Sequence, residues 1–127
     1  FYKGKIIKHD LPDENNIPSL LRTFIFDEDG YGNVWAASYT GRLYTYNRYQ
    51  SEFSELVLPK NVGGINSLIC TGQNNLLIGS ANGFYRLKVN KDQELTEMEE
   101  MPYSLNDISV MHLLDDDLLI GKRYSCL

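Results

Sequence analysis

The sequence is poor in the residues that form cross-links and zinc sites. It contains two cysteines, Cys70 and Cys126, which are too few for a disulfide framework. Cys70 ends an apolar run and is typical of a small core residue, while a bridge between the two thiols stays open. The two histidines, His9 and His112, have no second His or Cys at zinc-ligand spacing. We therefore expect no metal site built on these residues.

Long apolar runs and an excess of basic residues are also lacking. No run approaches the roughly 20 apolar residues that span a bilayer, and no charged stretch followed by an apolar one marks a signal peptide. Because the sequence begins abruptly at Phe1, both the loss of a leader by processing and a start downstream of one stay open. The formal net charge of −5 argues against a nucleic-acid partner, which needs a basic face.

Motifs of catalysis are missing as well. Ser38, Ser67 and Ser80 lie outside any Gly-x-Ser-x-Gly elbow. Val62-Gly63-Gly64-Ile65 is typical of a turn before a strand and differs from a phosphate-binding loop. Carboxylates are plentiful, but a glycosidase pair is defined by a distance in space. We expect this chain to bind a ligand without catalysing a reaction, and to need no cofactor.

Aromatic residues and an internal repeat are what the sequence does contain. Nine Tyr, five Phe and one Trp favour strands, and 43% hydrophobic residues are typical of a globular chain. Residues 35–38 are matched 42 positions later by residues 77–80, and residues 119–121 follow after another 42. Residues 65–70 match residues 108–113 at a shift of 43. A period of about 42 residues is that of a β-propeller blade.

Each repeat contains four short strand-like runs separated by Gly, Asn and Asp turn signals. The predicted strands are residues 22–26, 33–38, 42–46 and 52–58 in the first unit, and 66–70, 76–80, 84–89 and 94–99 in the second. The predicted fold class is therefore all-β: a β-propeller fragment of about three blade-equivalents, each a four-stranded antiparallel sheet.

The repeat also predicts how the chain is divided. Residues 1–11 form the end of one blade, residues 20–58 and 65–100 form two blades, and residues 107–127 start a further blade. Phe1-Tyr2-Lys3 is similar to the tail of a third strand, and residues 5–9 to a fourth. Three blade-equivalents leave unpaired strand edges, whereas closed propellers usually carry four to eight blades. We expect either a longer natural protein or pairing with further copies of the chain as a homo-oligomer.

One unit carries a recognisable motif. Residues 27–38 and 41–47 combine an acidic-Gly turn, a Trp-centred strand and a Gly-Leu-Tyr-x-Tyr strand, and resemble a two-component regulator propeller repeat. Residues 77–80 and 83–87 are a weaker second copy, and residues 119–121 begin a third. Leu77 and Leu119 stand at the Trp position of the later units. The rival WD repeat needs Gly-His and Trp-Asp signatures that this sequence lacks.

The resemblance implies a function. Such propellers are the extracytoplasmic sensor half of hybrid histidine kinases, common in gut Bacteroidetes, and many are linked to the detection of glycan fragments. It therefore implies a periplasmic location, an oligosaccharide or other small ligand, and a kinase outside these 127 residues. A generic propeller scaffold for protein interaction and a piece of a propeller polysaccharide lyase or glycosidase stay open as alternatives.

Loops that join successive strands at one end of the blades are the expected binding region, because loops vary while the scaffold holds. Related positions in three successive units carry polar or aromatic residues that suit a sugar or its acidic group: Tyr39, Arg42, Asn82, Arg123 and Tyr124.

Other conspicuous residues favour structural roles. Trp35 is expected in the core, together with most strand aromatics. The turn around Asp27 and Asp29 is interpreted as a hairpin turn, because position 12 of a calcium loop would be Ser38 instead of Glu. Asp115-Asp116-Asp117 is interpreted as a solvated hairpin tip.

Overall fold

The computed structural model describes residues 24–47, 49–102 and 105–122. Every regular element in these ranges is a strand. The strands, in chain order, are β1 (Phe24–Glu28), β2 (Val34–Ser38), β3 (Leu43–Asn47), β4 (Glu52–Leu56), β5 (Ile65–Thr71), β6 (Asn75–Ser80), β7 (Phe84–Val89), β8 (Leu95–Glu100), β9 (Ile108–Leu114) and β10 (Asp117–Lys122). The predicted all-β class is confirmed.

The strands form three antiparallel sheets in which each strand pairs with its neighbour in sequence. We call β1–β4 the first sheet, β5–β8 the second sheet and β9–β10 the C-terminal hairpin. Short turns permit this order, because antiparallel neighbours need only a few connecting residues. In the resulting register Trp35 pairs with Asp27 on β1 and with Thr45 on β3.

The main core lies between the first and second sheets. Side chains alternate between the faces of a strand, so Trp35 and Ala37 of β2 turn to the same face. They pack in one buried cluster with Tyr85, Leu87 and Val89 of β7. β5 also lies against β1 and β2, so more than one strand of the second sheet contacts the first. One face of each sheet therefore contributes to a shared apolar layer.

A smaller core joins the second sheet to the C-terminal hairpin. Phe84, Ile108 and Met111 are its buried residues, and β9 lies against β5 and β6. The approach is close at Gly79, where an added Cβ would lie 2.6 Å from Ile108 Cγ2. Ala37, also small, is fully buried at the matching place in β2. Small residues here allow the sheets to stack.

Two β-bulges occur at matching places in the second sheet and the hairpin. The register of β5 shifts between Ile65 and Ser67, so Asn66 has no partner on β6. The register of β9 and β10 shifts so that Ser109 is passed over in the same way. A bulge re-aims the side chain of the extra residue. Asn66 uses this to reach the hairpin, since its Nδ2 donates to Ile108 O at 3.0 Å.

The predicted strand bounds need small corrections. β1 runs to Glu28 because Asp29 N donates to Asn33 O at 2.9 Å and closes the turn later than expected. β4 ends at Leu56, two residues earlier than predicted. β8 starts at Leu95, because Glu94 N is held by Asn90 Oδ1 in the preceding turn. The strand-like segments at residues 1–3 and 5–9, and the whole of the predicted unit 1–11, lie outside the described residues.

Candidate functional site

Turns from successive sheets meet at one end of the stack, which we call the loop end. The β6–β7 turn contacts the connection between β4 and β5: Ala81 N donates to Gly64 O at 3.0 Å, and Asn82 N donates to Val62 O at 3.2 Å. The β2–β3 turn meets the same connection at Gly41, where an added Cβ would lie 2.6 Å from Gly63 O. The loop end is therefore a continuous surface supplied by both sheets.

A small cavity of about 90 Å³ opens in the loop end. Its lining comes from the first sheet, the second sheet and the entry to the hairpin: Tyr39, Gly64, Asn66, Ala81 and Asp107. Gly64 is needed here, because an added Cβ would lie 2.6 Å from Tyr39 O. Asp107 is fixed by its backbone, whose N–H donates to Ala81 O at 2.9 Å. We call this space the loop-end cavity.

The chemistry of the loop-end cavity suits a ligand that carries hydroxyl groups. Tyr39 offers an aromatic ring and a phenol, Asn66 an amide and Asp107 a carboxylate. Within the described residues Asn66 Oδ1 receives no hydrogen bond, while its Nδ2 is engaged by Ile108 O. The volume is well below the several hundred Å³ of a drug-sized site. The cavity is therefore too small to enclose a drug-sized ligand.

Of the predicted site residues that the structure describes, one lines the loop-end cavity and two do not. Tyr39 lines the cavity, whereas Arg42 and Asn82 belong to the same turns without lining it. Asn82 is engaged by the neighbouring connection, since its Nδ2 donates to Asn61 O at 3.3 Å. Arg42 N is held by Ser38 Oγ at 3.3 Å. The two remaining candidates, Arg123 and Tyr124, lie outside the described residues.

The two polar side chains that line the cavity beside Tyr39 were not predicted as site residues. Asn66 was assigned to an ordinary strand, and only its polarity between Ile65 and the following strand residues signals a bulge. Asp107 stands at the start of the last predicted unit, residues 107–127, and nothing local in the sequence singles it out. Its φ of 50° is a left-handed conformation that Asp adopts more readily than most residues. That geometry turns the chain into β9.

A charged cluster stands at the same end of the sheets. Lys60 Nζ lies 2.9 Å from Glu100 Oε2 and 5.3 Å from the centre of the Tyr85 ring. The hydrogen bond to Glu100 raises the pKa of Lys60, and burial raises the pKa of the Tyr85 phenol. Both side chains of the ion pair are about half exposed, so solvent screens it strongly.

The carboxylates in the acidic turn of the first sheet accept hydrogen bonds from N–H groups. Asp29 Oδ2 accepts from Trp35 Nε1 at 2.8 Å, and Asp29 Oδ1 accepts from the backbone of Tyr31 and Asn33. Asp27 Oδ2 accepts from Cys70 N at 2.8 Å. Carboxylates arranged to receive N–H donors stabilise a turn. In the described ranges no group of three or more His, Cys, Asp or Glu residues is placed to hold a metal ion.

The strand aromatics are packed inside the molecule. Trp35, Tyr44 and Tyr85 are at most 1% exposed, which confirms the expected core position of Trp35. Tyr46 rests against Phe53, with ring centres 5.0 Å apart. A ring that is covered on both faces has no surface on which a sugar could stack. Tyr39, which is only half-buried, is the aromatic that reaches the cavity.

Comparisons of the chain with protein-family models, with curated proteins and with solved structures found no match. Among the residues that the structure describes, no helix is long and apolar enough to cross a membrane.

Proposed function

We propose that this chain is part of a β-propeller sensor and that the loop-end cavity binds one end of a glycan fragment. The observation that carries the proposal is the meeting of Tyr39, Asn66 and Asp107 around one small opening. An aromatic ring beside an amide and a carboxylate matches the alternating apolar and hydroxyl faces of a sugar. The residues come from separate sheets, so the site depends on the stack as a whole.

The propeller part of the proposal is supported by contacts that recur between adjacent sheets. Cys70 N donates to Asp27 Oδ2, and Met111 N donates to Ser67 Oγ, across separations of 43 and 44 residues. Asn66 Nδ2 reaches Ile108 O across 42 residues. Sheets that each meet the next through positions about one repeat apart are the arrangement of propeller blades. On this proposal, the remaining blades or further copies of the chain complete the ring.

The signalling part of the proposal is supported by the resemblance of residues 27–38 and 41–47 to two-component regulator propeller repeats. The chain would be extracytoplasmic, with its kinase outside these residues. Ligand binding would favour one arrangement of paired sensor domains, and the difference in affinity between arrangements would bias the kinase. The chain itself contributes binding and orientation, with no catalytic step of its own.

Binding is tested by nuclear magnetic resonance titration of the 127-residue chain with a panel of neutral and acidic oligosaccharides. We expect one class to shift the amides of residues 39, 64, 66 and 107 together. Tyr39→Ala should weaken that binding about tenfold or more, because it removes the ring and a hydrogen bond. Asp107→Asn should weaken it by a similar factor.

Matched control variants lie at the opposite end of the sheets. Tyr31→Ala removes a partly exposed tyrosine from the β1–β2 turn, and Asp116→Asn neutralises an exposed carboxylate in the β9–β10 turn. Both should bind the same oligosaccharide with unchanged affinity. Equal losses in Tyr31→Ala and Tyr39→Ala, or a panel in which no sugar shifts the loop-end amides, would contradict the proposal.

A further inference from the structure

Several hydrogen-bond donors around the loop-end cavity are already engaged within the protein. The backbone N–H of Ala81 donates to Gly64 O at 3.0 Å, and that of Asp107 donates to Ala81 O at 2.9 Å. The Asn66 amide donates through Nδ2 to Ile108 O at 3.0 Å. Because a carbonyl oxygen can only accept, this bond fixes the orientation of the amide and leaves its Oδ1 to accept from another partner.

The acceptors of the cavity are not engaged in the same way. Within the described ranges, the Asp107 carboxylate forms no hydrogen bond and no ion pair, and Asn66 Oδ1 and the Tyr39 hydroxyl receive no hydrogen bond. A carboxylate and an amide oxygen only accept, and a phenol oxygen can accept as well. Three side chains therefore present acceptors to one space of about 90 Å³.

The charge on the lining of the cavity is negative. Of the described residues that line it, Asp107 is the one with a charged side chain. Lys60, a cation at the same end of the sheets, is paired with Glu100 at 2.9 Å. Arg42 belongs to the β2–β3 turn without lining the cavity. A group that enters the cavity therefore meets a carboxylate as its charged neighbour.

The ring of Tyr39 adds an attraction for positive charge. It lies beside Gly64, where an added Cβ would be 3.6 Å from Cδ2 of the ring. The face of an aromatic ring is negative and attracts a cation within about 6 Å of the ring centre. A carboxylate and an aromatic ring at the same opening thus favour the same kind of ligand group, one that is positively charged.

We propose that the group bound in the loop-end cavity is a protonated primary amine, carried by an amino sugar whose nitrogen is not acetylated. An ammonium group has three N–H donors, and the cavity offers acceptors on three side chains, those of Tyr39, Asn66 and Asp107. Hydrogen bonds between charged partners are shorter and stronger than neutral ones. A carboxylate on the ligand would instead share the cavity with Asp107, and like charges repel. The assignment rests on the proposed glycan binding and specifies the class of sugar.

The test compares three β-1,4-linked trisaccharides that differ only in the substituent at carbon 2: the trimers of glucosamine, N-acetylglucosamine and glucose. Each is titrated into the 127-residue chain at about pH 6, where the amines are protonated, and followed by nuclear magnetic resonance and calorimetry. We expect the glucosamine trimer to bind about tenfold tighter than the glucose trimer, while the amides of residues 39, 64, 66 and 107 shift together. Acetylation removes the charge and two N–H donors, so the N-acetylglucosamine trimer should lose that gain.

Asp107→Asn separates charge from shape. Residue 107 has a φ of 50°, and Asn adopts this left-handed conformation as readily as Asp, so the variant keeps the turn into β9. It should bind the glucosamine and glucose trimers with affinities within about twofold of each other. Asp116→Asn removes one charge from an exposed position in the β9–β10 turn and should keep the full preference for glucosamine. A preference that falls equally in both variants would reflect the net charge of the chain and would overturn the inference.

Further outcomes separate the preference for an amine from the proposed function. Equal affinities for the three trimers, with shifts at the loop-end amides, would overturn the preference and leave glycan binding standing. Cyclohexylamine, a ring amine without hydroxyl groups, tests the source of the amine. If it binds as tightly as the glucosamine trimer, the ammonium site is supported and its assignment to a sugar is contradicted. If none of the four compounds shifts the loop-end amides, both proposals are overturned.

Discussion

Trp35 and Asp29 form one buried unit in the first sheet. The indole Nε1 donates to Asp29 Oδ2 at 2.8 Å, and the two residues are 0% and 6% exposed. The second oxygen of Asp29 accepts the N–H groups of Tyr31 and Asn33, so the turn and the core are fixed by the same carboxylate. Leu77 replaces Trp35 in the next unit, where an indole N–H is no longer available. The acidic turn and the tryptophan thus belong together.

Trp35→Phe should destabilise the protein by about 2–3 kcal/mol, because a buried carboxylate loses a hydrogen bond and gains no substitute. Urea unfolding followed by circular dichroism measures the change. Tyr49→Phe, at a side chain exposed to solvent, should change stability by less than about 0.5 kcal/mol. Identical unfolding midpoints for the two variants would contradict the role assigned to the Trp35–Asp29 pair.

Asp27→Ala should weaken the junction between the first two sheets. Asp27 Oδ2 accepts from Cys70 N at 2.8 Å, and removal of the carboxylate leaves that N–H without its acceptor. We expect a loss of about 1–3 kcal/mol in the free energy of unfolding. Asp27→Asn should lose less stability than Asp27→Ala, because the amide oxygen can still accept the hydrogen bond from Cys70 N. Asp116→Ala serves as control for the loss of one negative charge and should leave stability unchanged.

The Cys70 thiol should react slowly with alkylating reagents. Burial raises its pKa, and the nearby carboxylates of Asp27 and Asp29 raise it further. Since the thiolate is the reactive form, labelling of the folded Cys126→Ser variant at pH 8 should be much slower than labelling in urea. Asp27→Asn should speed labelling of the folded protein by removing one negative charge. Equal rates in the folded and unfolded states would contradict the burial of this group.

The raised pKa of Cys70 also makes the free energy of unfolding depend on pH. A thiol whose pKa is raised by folding contributes stability that is present below its unfolded pKa of about 8.5 and is lost as pH rises above it. Tyr85, whose pKa is also raised by burial, extends the loss above about pH 10, whereas the solvent-screened Lys60 contributes little. Urea midpoints should therefore fall between pH 8 and pH 10.5. In Cys70→Ala the urea midpoint should fall less steeply between pH 8 and pH 10. If the midpoint falls just as steeply in that variant, the thiol is not the cause of the decrease.

Gly79→Ala should disturb the packing of the hairpin on the second sheet. The added Cβ would lie 2.6 Å from Ile108 Cγ2, so Ile108 must move. We expect a loss of about 1–3 kcal/mol from this overpacking. Ile108→Ala, which removes the Cγ2 methyl group, tests the coupling: if the contact is direct, the double variant should lose less than the sum of the single variants. Strictly additive losses of stability in the double variant would contradict a direct contact between residues 79 and 108.

Local turn chemistry explains how much of the fold was predictable. Gly41 lies in a left-handed conformation with φ of 90°, and the turn predicted between strands 33–38 and 42–46 coincides with the observed β2–β3 turn. β7 (Phe84–Val89) was predicted with its observed bounds, since Gly83 and the polar residues after Val89 delimit it. Such signals act within a few residues of the chain, so one sequence is enough to show them.

Contacts between sheets explain what was not predictable. Asn66, which lines the cavity, lies at a bulge of β5 against β6, and the pairing of two strands decides where a bulge forms. Tyr39 was predicted from its place in a turn, but the same argument selected Arg42, which does not line the cavity. Position in a loop is visible in the sequence, whereas the direction of a side chain depends on the neighbouring sheet.

The bulge at Asn66 gives one side chain two neighbours at once. Because residue 66 has no partner on β6, its side chain is free of the β5–β6 ladder and its Nδ2 donates to Ile108 O of the hairpin. The same residue lines the loop-end cavity. Ser109 holds the matching position in the hairpin. A substitution at residue 66 therefore changes the lining of the cavity and the junction between two sheets together, so neither can be altered there alone.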